Sequence, residues 1–111
     1  MDMVKEINQY EVYWISLDPS QGSEMAKTRP CVVVSPNEIN QFLRTVVIIP
    51  ITSTLKNYPW RVSCVISSKE GSIAADQVKV VDKNRIGAKI GALSKSEITE
   101  LKLVLQKMLI D

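Results

Sequence analysis

The chain has 111 residues, of which 45% are hydrophobic and 23% are charged, and its formal net charge is +2 at pH 7. This length fits one domain with a single core, and the composition excludes a disordered, coiled-coil or low-complexity protein. No apolar run approaches the ~20 residues of a membrane span. The first residues lack the basic start and apolar stretch of a signal peptide, so we expect a cytoplasmic protein without a membrane partner.

The first two predicted strands, residues 10–17 and 31–35, enclose a long polar loop. Turn-forming residues begin the loop, and Pro30 disfavours helix at Arg29. The loop sets one carboxylate, Glu24, and one guanidinium, Arg29, between two apolar runs. A loop of about a dozen residues is long for a small β-domain, and such loops often bind ligands. From these residues alone, a functional loop and a solvated hairpin loop are equally supported.

The middle of the chain alternates short strands with turns. Residues 45–53 contain a Val-Val-Ile-Ile run, which predicts a strand buried on both faces at the centre of a sheet. Before this strand, residues 36–40 predict a brief helical turn. After it, the pattern predicts a loop at 57–59, a strand at 61–67, a turn at Gly71 and an extended stretch at 72–81 that bends at Asp76.

The last segment has the clearest helical pattern. Ser94 and Glu97, three residues apart, fit a capping box. The apolar stripe that follows at helical spacing predicts a side facing the core, formed by Ile98, Leu101, Val104, Leu105, Met108 and Leu109. Several short strands and one terminal helix predict a mainly β fold, a small curled barrel with the helix packed against it.

The cysteines and the charge distribution bound the possible chemistry. Cys31 and Cys64 lie within apolar runs, so we expect two buried thiols rather than metal ligands or a disulfide. The chain contains no histidine, so a zinc site is not expected. Residues 37–111 carry eleven basic and seven acidic side chains, which fits either a groove that follows phosphates or a solvated lysine-rich face.

Six short sequence blocks follow one another along the chain: DPSQGSE (18–24) with TRP (28–30), VVVSP (32–36), PITS (50–53), YPW (58–60), ADQVK (75–79) and GALS (91–94). In these blocks the chain resembles the MazF/PemK/Kid toxin endoribonucleases of type II toxin–antitoxin systems. The resemblance runs from about residue 10, so we expect one domain over residues 1–111 with an N-terminal extension at 1–9. It implies an SH3-like barrel of the PemK/Kid/CcdB type, a homodimer, and cleavage of single-stranded RNA without metal or cofactor, which inhibits translation and growth.

The resemblance implies a catalytic set of Glu24, Arg29 and Thr52. In metal-free RNA cleavage the ribose 2′-OH attacks the adjacent phosphate, which needs a base, a proton source and positive charge. Without histidine, the base must be a carboxylate, and the family pattern implies Glu24. Arg29 supplies the charge, and the resemblance also allows it to be the proton donor, an alternative that the sequence leaves open although a guanidinium is a weak acid. Thr52 resembles a hydroxyl that hydrogen-bonds the scissile phosphate. The products would carry 2′,3′-cyclic phosphate and 5′-OH ends.

Further positions resemble substrate-binding residues of the family. Ser53 completes the hydroxyl pair, and Asp76 matches an acidic position that some relatives use in catalysis or base recognition, although a turn-forming role is equally supported. Tyr58 and Trp60 are candidates for a base-stacking platform, although Trp60 equally fits a core aromatic. The other matched positions are Ser23, Gln77 and Lys79.

The resemblance also implies partners. A cognate MazE-like antitoxin would cover the basic groove with an acidic tail, and operator DNA would be bound only through that antitoxin. Two alternatives are a CcdB-like toxin that binds DNA gyrase and a catalytically silent SH3-like binding module. The chain ends in Leu109-Ile110-Asp111 rather than in the Trp-Gly-Ile of CcdB-like toxins, and the loop with Glu24 and Arg29 favours the nuclease.

Overall fold

The computed structural model describes residues 6–17, 28–55 and 57–110. Within these ranges the chain forms seven strands, two α-helices and two 3-10 turns. The strands are β1 (Glu11–Ser16), β2 (Thr28–Val33), β3 (Thr45–Thr52), β4 (Arg61–Ile66), β5 (Lys69–Ala74), β6 (Lys79–Asp82) and β7 (Ile86–Ala92). The helices are α1 (Asn37–Phe42) and α2 (Lys95–Leu109), and the 3-10 turns are Ala75–Gln77 and Lys83–Arg85.

All described strand pairs are antiparallel, and β3 lies at the centre of the sheet. The strand order is β4-β5-β3-β2-β1-β7, and β6 pairs with the first half of β3. Ile48 and Ile49 of β3 are both fully buried, although they point to opposite faces. This burial confirms the predicted central strand. The sheet curls into a half-barrel, so the prediction of a mainly β fold with one terminal helix is also confirmed.

Two apolar cores fill the two sides of the curled sheet. The helix-side core lies between the sheet and α2, and it includes Val32, Ile49, Ile73 and Leu101. The second core lies on the other face and is formed by Ile7, Tyr13, Ile15, Cys31, Val33, Val46, Ile48, Val81 and Ile86. Because side chains of a strand alternate between faces, neighbouring residues of β1, β2 and β3 belong to different cores.

The α2 helix begins as the sequence predicts and ends differently. Ser94 and Glu97 form the predicted capping box, and Leu101 is fully buried. Burial then decreases along the helix, and Leu109 is 62% exposed. The prediction that the apolar stripe faces the core as far as Met108 and Leu109 is therefore wrong, because the first turns of α2 pack on the sheet and the last turn does not.

The turn predicted at Gly71 is also wrong. Gly71 is a buried residue inside β5, where a Cβ would lie 2.7 Å from Cγ2 of Ile51, so close packing requires the glycine. The chain reverses instead at Ser67 and Ser68, which have positive φ values of 51° and 66°. Two positive φ values are typical of the two-residue hairpin turns that match strand twist. Asn-Gly would be the usual sequence, so the serines gave no recognisable turn signal.

Both cysteines are buried thiols, as predicted. Cys31 is 0% and Cys64 is 3% exposed, and both are free. Burial raises the pKa of each thiol to about 12, because an apolar environment disfavours the thiolate. Within the described ranges, no helix has the length and apolar character needed to cross a membrane.

Candidate active site

A cleft of about 590 Å³ opens where strands β2 and β3 separate. The ladder between them ends at the Cys31–Pro50 pair, and β3 then pairs with β5 through Ile51 and Thr52. Pro30 and Pro50 have no amide hydrogen, so neither can donate to a ladder at this point. At the position after the Cys31–Pro50 pair, Pro30 therefore has no amide hydrogen to donate to β3.

The walls of the cleft combine apolar and polar groups. Its described lining residues are Trp14, Pro30, Ile51, Ile66, Gly71 and Ile90 on the apolar side, and Arg29, Thr52, Ser53, Thr54, Ser67, Lys69 and Glu70 on the polar side. A cleft of this kind suits a ligand that has both an anionic part and an apolar ring.

Three of the predicted site residues meet in this cleft. The β2–β3 register, if it continued past Cys31 and Pro50, would place Arg29 directly opposite Thr52. Both residues line the cleft, with Ser53 next to Thr52. The structure therefore brings together one guanidinium and two hydroxyls, although Arg29 and Thr52 are 23 positions apart in the sequence.

The Thr52 hydroxyl is held by a local hydrogen bond. The backbone amide of Thr54 donates to Oγ1 of Thr52 over 3.1 Å, a side-chain turn that ends β3. Because Oγ1 accepts this bond, its own hydrogen remains to donate toward the cleft. Thr52 thus retains a hydrogen-bond donor in the cleft that Arg29 also lines.

A second cation, Lys79, extends the positive charge of the site. Lys79 pairs with Ile48 in the β3–β6 ladder, and Ile48 and Cys31 belong to the same core. Burial raises the pKa of Cys31, while the charges of Lys79 and Arg29 act in the opposite direction. Both cations therefore lie within electrostatic range of one sulfur atom, although Lys79 is outside the cleft lining.

Tyr58, Trp60 and Asp76 form a separate cluster. The Tyr58 and Trp60 rings stack with centroids 4.8 Å apart, and we call this pair the aromatic ledge. The guanidinium of Arg61 lies 5.8 Å from the centre of the Tyr58 ring, and its Nε lies 3.2 Å from Oδ1 of Asp76. Trp60 is 38% exposed, so the alternative of a core aromatic is wrong.

The aromatic ledge lies apart from the cleft. None of Tyr58, Trp60, Asp76 and Gln77 is among the cleft-lining residues in the described part of the chain. From the strand order, Trp60 at the start of β4 and Thr52 at the end of β3 are on the order of 14 Å apart along the sheet. The site residues predicted from the sequence therefore lie in two separate places, the cleft that contains Arg29 and the aromatic ledge beside Asp76.

Residues 8–109 match the family described as the PemK-like, MazF-like toxin of type II toxin–antitoxin systems. The chain belongs to this family. It is 34% identical over 93 residues to the endoribonuclease toxin MazF of Escherichia coli K12, an alignment that covers 83% of this chain and 84% of that protein.

Solved structures of MazF-type proteins share the fold. An endoribonuclease from a mycobacterial species superimposes with a TM-score of 0.81 at 21% identity, over 97% of this chain and 95% of that chain. The MazE–MazF structure from Deinococcus radiodurans gives a TM-score of 0.82 at 23% identity, over 96% of this chain and 97% of that chain.

Two family positions singled out from the sequence, Ser23 and Glu24, lie outside the described residues. Conversely, the cleft of this PemK/MazF-family chain contains residues that the sequence did not single out: Trp14, Lys69 and Glu70. The residues next to Trp14 on β1 are apolar and buried. The sequence pattern alone therefore indicated that Trp14 was another apolar residue of the strand. Lys69 and Glu70 follow the serine turn that sequence reasoning missed.

Proposed function

We propose that this chain is the toxin of a type II toxin–antitoxin system and acts as a sequence-specific endoribonuclease on single-stranded RNA. The observation that best supports it is the presence of Arg29, Thr52 and Ser53 in one cleft of a PemK/MazF-family chain. The relative that is 34% identical is itself named an endoribonuclease toxin. Family membership also supports this function over a gyrase-binding toxin or a silent SH3-like module.

The phosphate site follows from the chemistry of the three side chains. The planar guanidinium of Arg29 can donate two parallel hydrogen bonds to the non-bridging oxygens of a phosphate. Thr52 and Ser53 add hydroxyl donors on the facing strand. When the ribose 2′-OH attacks, negative charge builds up on the phosphorus-bound oxygens, and donors already in place stabilise that charge.

Glu24 is the proposed general base. A carboxylate that accepts the 2′-OH proton starts the attack, and the bond to the 5′-oxygen of the next nucleotide then breaks as that oxygen takes a proton from water. One product end carries a 2′,3′-cyclic phosphate and the other a 5′-OH, and the proposed steps use only side chains, the RNA and water, without metal or cofactor. A guanidinium stays protonated at physiological pH, so we assign Arg29 a role through its charge rather than as a proton donor.

Other residues would bind the RNA outside the scissile phosphate. Lys79 extends the positive charge, and the aromatic ledge offers exposed rings to unpaired bases. Gln77 and Asp76 lie in the 3-10 turn beside the ledge, where they can contact base edges. Ser23 is the last of the proposed RNA-binding residues.

The proposed partners are a MazE-like antitoxin and a second copy of this chain. A related MazF has been solved together with MazE, and an acidic antitoxin tail would be attracted to the Arg29 and Lys79 charges. The last turn of α2 leaves Leu109 62% and Ile110 76% exposed, which supports burial of this region in a protein–protein contact. Operator DNA would be reached only through the antitoxin, and the site of action would be the cytoplasm.

Cleavage by antitoxin-free protein tests the proposed function. We expect the purified chain to cut a long single-stranded RNA in the presence of EDTA and to leave 5′-OH ends. Arg29→Ala or Glu24→Gln should reduce kcat/KM by roughly 10²-fold or more. Arg44→Ala is the matched control, because Arg44 is exposed and lies outside the cleft lining.

Two results would contradict the proposal. If the wild-type protein is folded, as judged by circular dichroism, but cuts no RNA, the proposed nuclease function is wrong. Cleavage that requires Mg²⁺, or that yields 5′-phosphate ends, would remove the 2′-OH mechanism even if Arg29 proved essential.

A further inference from the structure

We infer that the cleft holds one unstacked RNA base next to the scissile phosphate, and that Trp14 is the aromatic surface on which this base stacks. This inference rests on the proposed nuclease function and adds a base-binding subsite to it. It also assigns stacking at the cut site to Trp14 and not to the aromatic ledge.

The first argument is the unusual exposure of Trp14. Val12, two residues away on the same face of β1, is 0% exposed, whereas Trp14 is 44% exposed and lines the cleft. A large aromatic side chain on a central strand is normally covered by other core residues. Here its ring is left open on the side of the cleft.

The second argument is the position of Trp14 relative to the phosphate site. In the β1–β2 ladder, Trp14 pairs with Pro30 and Ile15 pairs with Arg29. The backbones of Trp14 and Arg29 are therefore one ladder step apart, and although their side chains leave opposite faces of the strands, both residues line the cleft where β2 leaves β3. A base joined to that phosphate through its ribose can reach the apolar part of the same cleft.

The third argument is the chemistry of the cleft wall. Pro30, Ile51, Ile66 and Ile90 surround the space beside Trp14, and such side chains accept the flat faces of a base but not a phosphate. The volume of about 590 Å³ lies within the range of roughly 300–1,000 Å³ found for small-ligand pockets. An unpaired base stacked on an aromatic ring is the usual way proteins bind single-stranded RNA.

The aromatic ledge is less suited to this task. Tyr58 and Trp60 stack on each other at an interplanar angle of 19°, so one face of each ring is already covered. The guanidinium of Arg61 lies near the Tyr58 ring as well. The ledge can bind RNA farther along the strand, whereas Trp14 shares the cleft with Arg29 and Thr52.

The two tryptophans of the chain allow a direct fluorescence test. The probe is an RNA oligonucleotide that the wild-type protein cleaves, with 2′-deoxyribose at the cut position so that it binds without reacting. In Trp60→Phe protein, where Trp14 is the sole emitter, we expect strong quenching when the probe binds. In Trp14→Phe protein, where Trp60 of the ledge is the remaining tryptophan, we expect clearly weaker quenching at saturation.

Kinetics with the cleavable RNA give an independent readout. Trp14→Ala should raise KM roughly 5- to 150-fold, the usual effect of losing one stacked base, with a smaller change in kcat. Trp14→Phe should restore most of the affinity because a second aromatic ring can stack. Phe42→Ala is the control for loss of an exposed aromatic, since Phe42 is 83% exposed on α1 and outside the cleft lining.

The outcomes separate this inference from the proposed function. If the wild type cleaves RNA but Trp14 is not quenched and Trp14→Ala leaves KM unchanged, the base subsite is wrong and the nuclease function stands. Quenching confined to Trp60 would assign the stacking to the aromatic ledge. If the folded wild type cleaves no RNA, both the function and the subsite are overturned.

Discussion

Arg61 and Asp76 form an ion pair, with Nε of Arg61 3.2 Å from Oδ1 of Asp76. The pair joins the start of β4 to the 3-10 turn after β5. Asp76 therefore faces a cation of its own chain, and Arg61 in turn lies near the Tyr58 ring. The acidic residue that resembles a family base-recognition position is part of the aromatic ledge and not of the cleft.

This pairing predicts coupled effects on RNA binding. We expect Asp76→Asn and Arg61→Ala each to raise KM several-fold with a smaller change in kcat, because each loosens the ledge and leaves the phosphate site intact. The KM of the double variant should be no higher than that of the single variant with the larger effect, as expected for residues that act as a unit. Strictly additive effects on KM would contradict this view and indicate independent contacts with RNA.

A second prediction concerns the serine turn between β4 and β5. Ser68 has a φ of 66°, a conformation that glycine adopts without strain. We expect Ser68→Gly to increase the free energy of unfolding by about 0.5–1 kcal/mol, measured by urea denaturation. Ser63→Gly, in the interior of β4, should instead decrease it by about 0.5–1 kcal/mol. Destabilisation by both variants would argue against strain at the turn.

Glu97 gives a third prediction, because its carboxylate serves two elements. Oε1 accepts a hydrogen bond from the Ser94 amide over 2.8 Å, and Oε2 accepts one from the Val65 amide of β4 over 2.9 Å. Ser94→Ala removes only a cap and should reduce the free energy of unfolding by about 1 kcal/mol. Glu97→Ala should reduce it by more, since it also removes the hydrogen bond that joins α2 to β4. Equal losses would mean that the Val65 hydrogen bond adds nothing.

The buried thiols predict a decrease in stability at alkaline pH. In the unfolded chain a cysteine ionises near pH ~8.5, whereas burial raises the pKa of Cys31 and Cys64 to about 12 in the fold. Between these values the unfolded state has lost its thiol protons and the folded state has kept them. The free energy of unfolding therefore falls as pH rises through this window.

Urea denaturation at a series of pH values from about 7.5 to 9.5 tests this, since most phenol ionisation lies above that range. The Cys31→Ala and Cys64→Ala variants should each show a shallower decrease than the wild type. The native thiols should also resist a thiol reagent at pH 8 and react once the protein is unfolded. Rapid labelling of the folded protein would contradict their burial.

Local sequence signals predicted the features that depend on neighbours in the chain. The apolar run of β3 and the Ser94–Glu97 cap are set by residues only a few positions apart, and both were predicted correctly. Arg29, Thr52 and Ser53 could be grouped only through family resemblance, and the structure places all three in the cleft. Glu24, the proposed base, stays a prediction from the sequence.

The features that the sequence did not reveal depend on distant pairings. The exposure of Trp14 depends on which strands flank β1 and on where β2 leaves β3. The partner of Asp76 is 15 positions away in the chain. Strand β7 has no clear apolar alternation in its sequence, and its ladder with β1 contains two register shifts, between Val12 and Tyr13 and between Tyr13 and Ile15. These features depend on contacts between residues that are distant in the sequence, so no short sequence segment can predict them.

The pairing of β1 with β7 has a consequence for how the toxin is made. Glu11 pairs with Ala92, and Ile90 of β7 lines the same cleft as Trp14. A ribosome must therefore synthesise and release residues up to β7 before the substrate cleft is complete. The nascent chain thus lacks a finished cleft during most of its own translation.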